Sequence, residues 1–119
     1  MSKTTTRFAR LISALVISTG LLSLDAMAND MIAKGKEVAL DRKKGNCAGC
    51  HIIGDASQPG NIGPPLIAMK ARFPNKADLR AQIYDSTKKN PNSIMPPFGK
   101  HGALSDKEID AITEYVHTL

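Results

Sequence analysis

An all-α fold is expected for this chain, on three observations. No stretch carries the alternating pattern of a half-buried strand, Gly and Pro fall between segments of helical periodicity, and helix-capping residues open the later segments. At 119 residues the chain makes one small domain at most, and with no Trp, three Phe and two Tyr its apolar core is thin for that length. A net charge of +5 is mildly basic and falls short of the concentrated footprint of a nucleic-acid binder.

Residues 1–28 read as a cleaved secretion signal, which leaves residues 29–119 as the working domain. Lys3, Arg7 and Arg10 make a positive start, Leu11 to Leu24 is an uncharged apolar run, and Ala26-Met27-Ala28 offers a small-x-small site for cleavage after Ala28. The run is short against the roughly 20 residues that span hydrocarbon, so no membrane attachment is expected once the signal is removed.

The first helix should start at Asn29 or Asp30, either of which can cap it, and run to about Arg42, with Ile32, Gly35, Val38 and Ala39 near one face. Gly45 and Asn46 end it before the cysteines. Gly54, Pro59, Gly60, Gly63, Pro64 and Pro65 mark a loop, and a short helical turn is expected around Leu66 to Lys70. Asn75 caps a third helix with Asp78 in its first turn, Leu79 and Ile83 stacked at i and i+4, and Asn90-Pro91 as the stop. Its Lys76, Arg80, Lys88 and Lys89 should face water. Ser105-Asp106-Lys107-Glu108 fits a capping box flanked by a Leu104/Ile109 staple, which predicts a last helix from Asp106 to about His117. Its stripe of Ile109, Ile112, Tyr115 and Val116 should meet the first helix, where Gly35 permits Tyr115 a close approach.

Both cysteines of the chain lie in Cys47-Ala48-Gly49-Cys50-His51. This C-x-x-C-H spacing lets two thiols add to the vinyl groups of a haem while the adjacent His51 reaches its iron. A dithiol redox pair would normally sit beside a strand-helix-strand pattern, a zinc site would need further ligands that the separation of His101 and His117 does not offer, and a disulfide leaves His51 unexplained. One covalently attached haem c would also supply the missing apolar bulk. A metal-bound His is usually oriented by donating its other ring N–H to a carbonyl; Pro64 is the predicted acceptor, with Leu66 packing on the haem. The alternative is that Pro64-Pro65 merely stiffens the loop.

For the opposite axial position, Met69, Met95, His101 and His117 compete. Met95 is the choice, because Ser93-Ile94-Met95-Pro96-Pro97-Phe98-Gly99 can form neither helix nor strand and gives the Met no core face to serve. With His51 and Met95 both on the iron, the site passes single electrons and closes to O₂ or substrate. No free thiol or triad remains for group transfer, so no catalytic residue is expected in this chain. Arg42-Lys43-Lys44 and Lys100 could ring the haem edge and steer an acidic partner, or could be an ordinary solvated face.

From Gly45 onward the chain resembles SoxX, the small c-type cytochrome subunit of the SoxAX complex. The resemblance rests on Gly45-Asn46-Cys47-Ala48-Gly49-Cys50-His51, Gly60-Asn61-Ile62-Gly63-Pro64-Pro65-Leu66, Leu79-Arg80-Ala81-Gln82-Ile83-Tyr84-Asp85 and Met95-Pro96-Pro97-Phe98-Gly99. It implies a class I cytochrome c fold, with helices and loops wrapped around one haem, in a periplasmic heterodimer with SoxA. In that family the complex oxidatively joins thiosulfate to a cysteine of the carrier SoxYZ, the reactive cysteine sits on SoxA, and electrons leave to a small soluble cytochrome. A freestanding diffusible cytochrome c and a haem-based ligand sensor are the rival readings.

Overall fold

The computed structural model describes residues 18–119, with side chains from Leu24 onward. Four α-helices carry the fold: α1 (Ser18–Leu40), α2 (Met69–Arg72), α3 (Lys76–Tyr84) and α4 (Asp106–His117). Two single 3-10 turns, Cys47–Gly49 and Ser86–Lys88, stand between them. Among the described residues no strand forms, and one isolated parallel bridge joins Ile53 to Leu66.

Helix α1 departs from expectation at both ends. It runs unbroken through Ala28, because residues 18–28 are mostly good helix formers and contain no Pro. Neither Asn29 nor Asp30 therefore acts as its cap. Burial nevertheless starts later: Leu24 and Met27 are exposed, and the packed face begins at Ile32 and continues through Gly35, Val38 and Ala39. The positive start of the expected signal and the first part of its apolar run lie outside the described residues. At the other end α1 stops at Leu40, because Asp41 turns the chain: its carboxylate accepts from Lys43 N and its carbonyl from Lys44 N and Asn46 N. No helix among the described residues is long and apolar enough to cross a membrane.

The core is the crossing of α1 on α4. Val38, Ala39, Ile109, Ile112, Tyr115 and Val116 are buried together. A Cβ at Gly35 would stand 1.9 Å from the Ala111 carbonyl oxygen and 2.9 Å from Tyr115 Cβ, so the two helices can approach this closely only with Gly there. The α4 start has the expected capping box: Ser105 Oγ accepts from Glu108 N at 3.3 Å, and Glu108 Oε2 accepts from Ser105 N at 2.9 Å.

Helix α2 begins at Met69, later than expected. Leu66 is held extended by its bridge and by donating to Ile52 O at 2.8 Å, and Ala68 takes a left-handed conformation with φ 52°. Helix α3 is capped by Asn75, whose side chain accepts from Ala77 N, and it ends at Tyr84 rather than near Asn90. Asp85 stops it by capping the next 3-10 turn through Thr87 N. Lys76 is exposed as expected and Arg80 is partly covered, and both also bind α3 to α4: Lys76 pairs with Glu114 at 2.8 Å, and Arg80 with Asp110 at 2.6 Å and Asp106 at 2.8 Å. Such half-exposed pairs contribute about 0–1 kcal/mol each, so they set register more than stability.

Candidate haem site

One cleft of about 700 Å³ gathers every residue assigned to the haem from sequence: Cys47, Cys50, His51, Pro64, Leu66 and Met95. Its volume lies within the range of small-molecule and cofactor sites, and its floor is apolar, built from Met69, Leu79, Ile83, Leu104, Ile112 and Val116. The last two come from the inner face of α4, so the helix that makes the core also makes the pocket.

The Cys47–Gly49 turn follows from Asn46, which sits in the left-handed region at φ 46° and ψ 36°, a conformation Asn tolerates better than most residues. Cys50 N and His51 N both donate to Cys47 O, which brings the two thiols and the imidazole to one wall of the cleft. Against this turn lies the 60–66 loop, fastened by Gly60 N to Ala48 O at 2.7 Å, Gly63 N to Cys50 O at 2.7 Å and Leu66 N to Ile52 O at 2.8 Å. A Cβ at Gly63 would fall 2.4 Å from the His51 ring, so glycine is what lets the loop close on it. His51 Nδ1 stands 2.7 Å from the Pro64 carbonyl oxygen, in reach to donate to it. With that bond made, Nε2 is left with its lone pair for a metal.

The competing axial residues separate by position. His101 is exposed, and His117 has its Nε2 3.0 Å from Phe73 O; neither lines the cleft. Met69 does line it, but it is fully buried in the floor and its sulfur accepts from Arg72 Nη1 at 3.4 Å, so it already has a packing role and a hydrogen-bond partner. Met95 lies in the wall formed by residues 92–98.

Burial pushes the Cys47 thiol up to about 11. A redox dithiol needs the opposite, a depressed thiol pKa, so this environment counts against disulfide exchange at Cys47. The donor set, the apolar floor and the cleft volume together fit a haem. The expected ring of positive charge is thinner than its sequence: Lys44 is paired with Glu108, and Lys100 stands 3.5 Å from Asp85. Arg42 remains on the cleft. Asp85 is held below its ordinary carboxyl value first by the Thr87 hydroxyl and then by the Lys100 charge.

Sequence reasoning missed Arg72, which donates to Pro65 O at 2.7 Å beside the carbonyl that faces His51. No motif marks it, and its reach into the cleft comes from the late start of α2. Also missed was Ser86, fully buried, whose hydroxyl donates to Met95 O at 2.7 Å.

Comparison with known proteins finds the family of cytochrome c oxidase, cbb3-type, subunit III matching residues 30–116. A stretch of 77 residues is 39% identical to an uncharacterized lipoprotein of Aquifex aeolicus (strain VF5), covering 63% of this chain and 37% of that protein. The chain thus matches well under half the length of that relative.

Proposed function

The chain belongs to the c-type cytochrome family of cbb3-type oxidase subunit III, with one haem c on Cys47 and Cys50, and from that premise we propose that it is a six-coordinate single-electron carrier working outside the cytoplasm. The observation that carries this reading is the meeting of His51 and Met95 in one apolar cleft, a Met/His pair of the kind that raises the reduction potential. When bound, the haem supplies one-electron chemistry, and the chain's residues do the rest. Cys47 and Cys50 fix the group covalently. Pro64 O would hold the imidazole through Nδ1 and leave Nε2 for the iron, and Met95 would supply the second protein ligand. Leu66, Met69, Ile112 and Val116 exclude water, which keeps the charge change of the iron in a poorly solvated site. The lipoprotein relative and the signal-like residues 1–28 favour an extracytoplasmic, periplasmic setting.

At a finer level the reading is a SoxX-like electron-transfer subunit: partner to SoxA in a thiosulfate-oxidising L-cysteine S-thiosulfotransferase, with SoxYZ as carrier substrate and a small soluble cytochrome as electron acceptor. Support comes from the Gly60–Leu66 and Met95–Gly99 segments, which both contribute residues to the cleft and carry the resemblance to SoxX. Both cysteines are spent on haem attachment, so the sulfur chemistry falls to SoxA. A freestanding periplasmic cytochrome c uses the same site and differs in having no stable partner. Native purification from thiosulfate-grown cells separates them: a heterodimer with a second cytochrome on gel filtration is expected, and an isolated monomer would defeat the subunit reading while leaving the electron carrier intact.

A further inference from the structure

Past Ser93, the backbone hydrogen bonds of the loop that carries Met95 begin only after it, where Pro97 O accepts from His101 N at 3.0 Å and Phe98 O from Ala103 N at 2.9 Å and Leu104 N at 3.2 Å. Pro96 and Pro97 carry no N–H, and Met95 N reaches only a local acceptor, Ser93 Oγ, at 3.3 Å. Farther along, Gly99 N and Lys100 N donate to Tyr84 O at 3.1 and 3.2 Å, which pins the far end of the loop to the end of α3. Among the described residues, one hydrogen bond ties Met95 itself to another element: Ser86 Oγ donates to Met95 O at 2.7 Å. Ser86 is 0% exposed, a polar side chain placed where an apolar one would otherwise sit. Its own position is set by Asp85, whose carboxylate caps the Ser86–Lys88 turn through Thr87 N at 3.1 Å.

We propose that Ser86 is a positioning residue for Met95: its hydroxyl grips the Met95 carbonyl and keeps the thioether in the haem cleft, against release of the sixth position. The inference rests on Met95 as the ligand opposite His51. Removing the hydroxyl leaves a part-buried carbonyl without its donor, so the loop gains access to conformations in which Met95 has left the cleft. Water and solutes then reach the iron through a door that the intact protein keeps shut.

Imidazole is the probe, because in the oxidised haem protein it binds opposite His51 only when Met95 is away, and its apparent dissociation constant therefore reports the open fraction. Ser86→Ala is expected to tighten imidazole binding on the order of tenfold, the equivalent of one buried hydrogen bond. In a Met95→Ala background the same serine substitution should leave imidazole affinity unchanged, although it still lowers the denaturation midpoint. A merely structural role would lower that midpoint without moving imidazole affinity in either background, and that result overturns the proposal. Equal tightening in both backgrounds overturns it as well. If Met95→Ala itself binds imidazole no more tightly than the unaltered protein, Met95 is not the ligand and the proposal falls with it. If Met95→Ala tightens binding and Ser86→Ala does not, only the positioning role fails. Should Ser86→Ala not accumulate with haem, Ser86→Thr and Ser86→Val, similar in shape and differing in the hydroxyl, pose the same question: the Val form should bind imidazole more tightly, and equal affinities would overturn the proposal.

Discussion

The two walls of the haem cleft are built on different principles. The His51 wall is a backbone construction, in which two main-chain hydrogen bonds fasten the 60–66 loop to the Cys47–His51 turn, a third fastens it to Ile52, and Pro64 O meets the imidazole. Past Ser93, the Met95 wall takes its main-chain bonds only beyond Pro96, at Pro97, Phe98, Gly99 and Lys100, while Met95 itself is tied to another element by the Ser86 hydroxyl. On the proposed assignment, one ligand would be held by a wall fastened through its backbone and the other through the single side chain of Ser86.

The first way to break this contrast is at the His51 wall. His51→Ala removes the ligand proposed for this wall, and the yield of haem-containing protein per unit of polypeptide, measured by haem absorbance, should fall by more than roughly the 10–100-fold that losing a supporting residue of a metal site costs. A yield near that of the unaltered chain would mean that the wall does not serve the iron. Next in size, Gly63→Val drives a side chain into the space of the His51 ring and should cost about 1–3 kcal/mol in denaturant unfolding. Ile94→Ala on the opposite wall, at a residue 76% exposed, should change stability by no more than about 0.5 kcal/mol. Equal losses from the two would erase the distinction between the walls.

Away from both walls, Ser105→Ala removes the α4 cap and should cost about 1 kcal/mol in denaturant unfolding while leaving the haem spectrum unaltered. The smallest effect expected is one of pH. Glu108 is held down to about 2, first by the Lys44 side chain and then by the Ser105 backbone and hydroxyl. A carboxylate lowered in the folded state contributes stability that is complete above its unfolded value of about 4.5 and is lost as pH falls towards 2. Glu108→Gln should flatten that part of the stability profile; an unchanged acid limb in urea unfolding would place the dependence on other groups.

Much of this was legible in the chain itself because it is written in local chemistry. Ser105 and Asn75 cap the helices that the sequence assigns them, since a cap depends on its own next three residues. Cys47, Cys50, His51, Pro64, Leu66 and Met95 converge on one cleft because Gly and Pro restrict the loops that carry them. What escaped depends on contacts between distant segments. The stop of α3 at Tyr84 is decided by Asp85 turning to Thr87 and by the arrival of Gly99 and Lys100 at the Tyr84 carbonyl. Arg80 looks like a solvent-facing residue until Asp106 and Asp110 of α4 are set beside it. Ser86 resembles any polar residue in a polar stretch, and its burial appears only once the Met95 loop folds over it.

The most direct measurement is the methionine-to-iron charge-transfer absorption of the oxidised haem protein, compared between the unaltered chain and Met95→Ala. A six-coordinate haem with His51 on one wall and Met95 on the other predicts that the band is present and that Met95→Ala abolishes it, with the reduced variant binding carbon monoxide. A band that persists in Met95→Ala would contradict the account and turn attention to Met69, the other methionine on the cleft.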